Sequence, residues 1–78
     1  MKVTVSGNFY ELQMLRNVIK DNFKVRKVLW GGRWDGMKWE NLSFYCNPSV
    51  FEDIKSFSKN EIYRQVEDGN LIFNGTVL

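Results

Sequence analysis

Seventy-eight residues with 44% hydrophobic and 15% aromatic side chains make one small packed domain, residues 1–78, and exclude a disordered chain. With no histidine and a single cysteine, Cys46, the sequence lacks the commonest acid–base catalyst, a zinc ligand set and an internal disulfide. The net charge of +2 hides a division, since residues 1–39 carry eight Lys or Arg against three acids and residues 40–78 carry three against six. A polarised surface is expected.

The opening Lys2-Val-Thr-Val-Ser6 alternates polar and apolar residues, which puts Val3 and Val5 on one face of a strand. Asn8 followed by Glu11 has the spacing of a helix capping box. Behind it Phe9, Leu12, Leu15 and Ile19 recur at helical spacing, so a helix ending near Asp21 or Asn22 should carry a core stripe, widened by Tyr10, Met14 and Val18. Phe23–Trp30 and Met37–Cys46 are rich in β-branched and aromatic residues and read as two strands. Between them Gly31-Gly-Arg-Trp-Asp-Gly36 has the glycines of a hairpin loop, which pairs the strands antiparallel. On the second strand Leu42, Phe44 and Cys46 share one face, and Met37, Trp39 and Tyr45 the other.

Asn47-Pro48 ends that strand and starts a second helix, Asn suiting the cap and Pro the first helical position. Val50, Ile54 and Phe57 form its apolar face, and it should stop near Lys59 or Asn60. Residues 61–78 read as two further strands joined at Asp68-Gly69. The expected fold class is α+β: a small antiparallel sheet with two helices on one face, in the order βαββαββ, ferredoxin-like or a variant of it.

The sequence offers little for catalysis. The acidic pairs Glu52-Asp53 and Glu67-Asp68 are chain neighbours whose side chains diverge, and Cys46 falls in line with core residues. No phosphate loop or metal-ligand spacing is present. A non-catalytic protein without metal or cofactor is expected. The start of the chain lacks the apolar run of a signal peptide and no segment reaches the ~20 apolar residues of a membrane span, which together with the lone cysteine points to the cytoplasm and away from a membrane.

The working surface is sought in WGGRWDGMKW, residues 30–39, which holds all three tryptophans. Trp30 and Trp39, one on each arm of the hairpin, are expected to brace it as a cross-strand pair. Arg33 and Trp34 stand at its tip, where a small domain has little with which to cover an indole, and Trp and Arg are enriched at binding hot spots. The expected protein-binding residues are Arg33, Trp34, Trp30, Trp39, Asp35 and Lys38. On this reading the chain docks onto a larger protein or nucleoprotein complex, in the manner of a phage or mobile-element inhibitor of a host system such as a defence nuclease.

The competing expectation is a single-stranded RNA- or DNA-binding module, in which Lys24, Arg26 and Lys27 supply cations for phosphates and Tyr45, with the tryptophans, supplies faces for bases. The third-strand signature of the RNA recognition motif is not matched: Lys38-Trp39-Glu40-Asn41-Leu42-Ser43-Phe44-Tyr45 lacks its glycine and contains an acid. A homodimer through the C-terminal strand is compatible with either reading.

Overall fold

The alternating segment at the start of the chain becomes the middle of a four-stranded sheet in the computed structural model, which describes residues 1–32, 39–62 and 71–77. The strands are β1 (Lys2–Ser6), β2 (Arg26–Gly31), β3 (Asn41–Tyr45) and β4 (Ile72–Thr76), in the spatial order β2-β3-β1-β4. Every neighbouring pair is antiparallel. Helix α1 (Phe9–Asn22) joins β1 to β2, and α2 (Pro48–Phe57) joins β3 to β4. Each helix therefore connects two strands that run the same way with a third between them, the split βαβ arrangement of the ferredoxin-like fold.

The expected class and layering hold; residues 63–70, which carry most of the first expected C-terminal strand, lie outside the described residues. The described residues give βαββαβ. Where the first of two C-terminal strands was expected to begin, α2 winds on into a π-helical turn, Ser58–Ile62. The Ser58 amide bonds the carbonyls of Ile54 and Lys55, and its hydroxyl, fully buried, donates to the Ile54 carbonyl at 2.9 Å, so the backbone keeps its helical sense. The Asp68-Gly69 turn lies outside the described residues. The hairpin strands are also shorter than expected, since β2 begins only at Arg26 and β3 only at Asn41.

Period and register explain the core. Val3 faces Phe44 and Val5 faces Leu42 across the β1–β3 ladder, and all four are fully buried. Leu12, Leu15 and Ile19 of α1 and Phe51 and Ile54 of α2 close over them. Burying a side chain of this size contributes about 1.5–3 kcal/mol, so this cluster supplies most of the drive to fold. The Asn8 side chain accepts from the Tyr10 amide at 2.8 Å and starts α1 as its spacing predicts. Tyr10 itself corrects the expected stripe: it is 67% exposed, because two residues before Leu12 is about 200° round a helix of 3.6 residues per turn. In α2, Pro48 occupies the first turn as expected, while the Asn47 side chain makes no capping bond.

Gly75 on β4 shows how tightly α2 is seated. It faces Val3 on the helix side, and a Cβ there would run into Met1 Cε and lie 2.8 Å from Phe51 Cε2. The Phe51 ring occupies that space and meets Phe73 with centroids 6.3 Å apart.

Candidate nucleic-acid interface

Both helices lie over one face of the sheet, so the alternation that buries Val3, Val5, Leu42 and Phe44 turns their neighbours the other way. Among the described residues that second face has no covering element. Its residues form three rows across the strands. One runs Arg26, Tyr45, Lys2, Thr76; the next Leu29, Ser43, Thr4, Asn74; the third Gly31, Asn41, Ser6, Ile72. The four strands hold Lys2, Arg26 and Lys27 and no acid. Charge on the sheet is thus of one sign and gathered at one end.

Arg26 and Tyr45 are partners in the β2–β3 ladder. Directly after Arg26 the register slips: Leu29 faces Ser43, so β2 uses three steps where β3 uses two. This is a β-bulge. Lys27 sits in it with φ +52°, the left-handed region that a lysine enters only at a cost of about 1–2 kcal/mol. The bulge sets two consecutive cations beside one ring, and the Lys27 ammonium lies 5.6 Å from the Tyr45 centroid. Arg26, Lys27 and Tyr45 line a small hollow of about 100 Å³. Beside it a wider, open hollow of about 390 Å³ is lined by Lys24, Val25, Arg26, Cys46 and Asn47, with Arg26 shared between the two. Lys24, Arg26, Lys27 and Tyr45 are therefore brought to one place, although the chain separates the first three from the fourth by the whole hairpin.

The same bulge determines the place of Trp30. In an unbroken strand Trp30 would share a face with Arg26; the extra residue reverses the phase and turns the indole to the helix side, opposite Leu42. There it is half-buried, stacks on Phe9 with centroids 5.3 Å apart and has the Arg16 guanidinium 5.8 Å from its ring. The expected cross-strand pair of Trp30 with Trp39 is accordingly replaced by packing on α1, and Trp39, also half-buried, precedes β3. Gly32 follows at φ +83° and turns the chain out of β2, with Asn41 Nδ2 only 2.7 Å from where a Cβ would stand. Arg33, Trp34, Asp35 and Lys38 lie outside the described residues.

Sequence reasoning missed Lys2 and Leu29. Lys2 was legible in principle, since it precedes Val3 in the alternating strand and must point away from the helices; what pairs it with Tyr45 is the β1–β3 ladder. Leu29 is 61% exposed because of the bulge. The one thiol offers no chemistry here: Cys46 is buried, and burial raises its pKa above 9.0, opposed by the positive amino terminus. Among the described residues no three His, Cys, Asp or Glu gather as a metal would require, and no helix is long and apolar enough to cross a membrane.

Comparison with protein-family models, with curated proteins and with solved structures finds no match for this chain.

Proposed function

We propose that this chain is a non-catalytic protein that binds single-stranded nucleic acid on the face of its sheet opposite the helices. The observation that carries the reading is the convergence of Arg26 and Lys27 on Tyr45 by a strained bulge, at the one end of the sheet where its charge is gathered. Strain kept in a backbone points to a use for the conformation it enforces. Here that conformation gives a π-face for one base with cations for the adjoining phosphates, the two elements of single-strand recognition. A base that takes the exposed part of the Tyr45 ring frees the Lys27 ammonium for the phosphate beside it.

The test is a titration of labelled single-stranded oligonucleotides, followed by fluorescence anisotropy at about 50 and 200 mM salt. Changing Arg26 and Lys27 to Gln is expected to reduce the slope of log affinity against log salt by roughly 0.7 for each phosphate left without its cation. Tyr45→Ala should weaken binding by about 1–3 kcal/mol, with Tyr45→Phe close to the parent. Absence of binding at the lower salt, or binding indifferent to all three side chains, would sink the reading.

A second reading has its own observation. Leu29 is 61% exposed on β2, and a large aliphatic residue so exposed fits an anchor for a protein partner. On this reading the chain docks onto a larger protein or complex as an inhibitor, of phage or mobile-element type, of a host system. Leu29→Ser then abolishes partner capture and leaves oligonucleotide affinity unchanged.

A further inference from the structure

We infer that the ligand of this face is a short single-stranded segment of about three nucleotides that crosses the strands, with one base on Tyr45, phosphates on Arg26 and Lys27 at one side and a phosphate on Lys2 at the other. The inference rests on the nucleic-acid reading above and adds the path and length of the ligand. Three observations lead to it.

The first is register. Tyr45 is flanked in its own row by Arg26 on β2 and by Lys2 on β1, so the ring has a cation on either side across the sheet. Both flanking side chains are exposed, while Tyr45 is half-buried and held in place by its neighbours. The second is where the cations stop. The middle row offers Leu29, Ser43, Thr4 and Asn74 and the far row Gly31, Asn41, Ser6 and Ile72, none of which can neutralise a phosphate. Among the described residues, a backbone following the strands would leave the positive charge behind after one row, whereas one crossing them stays beside Arg26, Lys27 and Lys2. The hydroxyls and amide of the middle row then lie where base edges or sugars project.

The third is distance. Neighbouring strands are about 4.8 Å apart, so Arg26 and Lys2 stand roughly 10 Å apart at their Cα atoms. Stacked nucleotides advance about 3.4 Å each, so roughly three cover that span, fewer than the ~4–16 that an OB fold takes. Beyond Lys2 the row ends in Thr76, which is uncharged. The competing path runs off the face along the edge of β2, from Lys27 through Arg26 into the wider hollow at Lys24, and makes no use of Lys2.

Labelled oligothymidylates and oligouridylates carrying a 5′-phosphate, so that three nucleotides hold three phosphates, decide between these paths when titrated onto the whole chain at lengths from two nucleotides to twelve. Affinity should rise up to about three nucleotides and change little thereafter. With three phosphates neutralised the parent should lose roughly 20-fold in affinity between about 50 and 200 mM salt, and Lys2→Gln, with two, roughly sevenfold. Lys2→Arg keeps the charge and should retain the parent's salt dependence, which separates removal of the cation from damage to β1. Lys24→Gln should flatten the salt dependence less than Lys2→Gln does. The inference is overturned if affinity keeps climbing severalfold beyond about six nucleotides, or if Lys24→Gln flattens the salt dependence and Lys2→Gln does not; either result leaves nucleic-acid binding itself intact. If no oligonucleotide of any length binds, both the inference and the reading beneath it fail.

Discussion

The Lys27 ammonium lies 5.6 Å from the centroid of the Tyr45 ring, and a left-handed backbone at Lys27 puts it there. The approach is a consequence of the β2 bulge, which also turns Leu29 outward and Trp30 inward. One inserted residue thus fixes the composition of both faces of an edge strand.

The strain at Lys27 is measurable by a pair of substitutions. Lys27→Gly and Lys27→Ala both remove the ammonium, but glycine accepts φ +52° freely and alanine does not. The glycine variant should therefore exceed the alanine variant by about 1 kcal/mol in urea unfolding. Both should bind oligonucleotides with the same flattened salt dependence, since the same cation is gone from each. Equal stabilities would show that the bulge holds no strain.

Trp30 is expected to act through the fold. Replacing it with alanine removes its stack on Phe9 and uncovers Arg16, at a cost of about 2–3 kcal/mol in thermal or denaturant unfolding. Combined with Phe9→Leu the loss should fall short of the sum of the two, because the two rings stack on each other. A Trp30→Ala variant with unchanged stability and a binding defect would instead make the indole part of the working surface.

The strand phase of β1 and β3 and the cap of α1 were legible in the sequence because each depends on nearest neighbours. Val3 and Val5, Leu42 and Phe44 alternate cleanly, and the first two proved to face the second two. Asn8 and the apolar spacing behind it began α1 where the helix begins. Of the candidate site, Tyr45 was legible as outward-facing for the same reason. The position of Trp30 was not, since a lysine carries no signal that its backbone will be left-handed, and without the bulge every later residue of β2 is placed on the wrong face. Nor could the sequence tell that Lys2 and Arg26 flank one ring, because that depends on which strands become neighbours.

At Gly75 the expected outcome concerns packing alone. Gly75→Val should destabilise by about 1–3 kcal/mol, since Phe51 must leave the space its ring occupies over β4. Phe51→Leu in the same background should recover part of the loss. A neutral Gly75→Val would mean that α2 is seated less tightly than the position of Phe51 indicates.

The Cys46 thiol predicts an alkaline limit. Its pKa is raised in the folded chain, chiefly by burial, so above the ordinary thiol value of 9.0 the unfolded chain ionises first. Stability is then fully present below that pH and declines as pH rises from it toward the folded value. Comparing Cys46→Ala with the parent isolates the thiol's share: the gap between their unfolding free energies should narrow as pH passes through this range. In native protein the thiol should react with a disulfide reagent far more slowly than in urea. A gap that stays constant would mean that the thiol has no part in the alkaline limit.

The strand order has a consequence for synthesis. β1 is the first of the four strands in the chain yet occupies the sheet interior, and one of its two partners is β4, the last of the four to be made. From the emergence of β3 to that of β4, a few seconds at about 5–20 residues per second, a nascent chain carries β1 with one edge unpaired. Messages cut short before residue 72 would yield polypeptides that retain both helices but keep that edge open, and such products are natural targets for chaperones and proteases. Ribosome stalling ahead of β4 should leave the nascent protein sensitive to protease, and release of the next few residues should protect it.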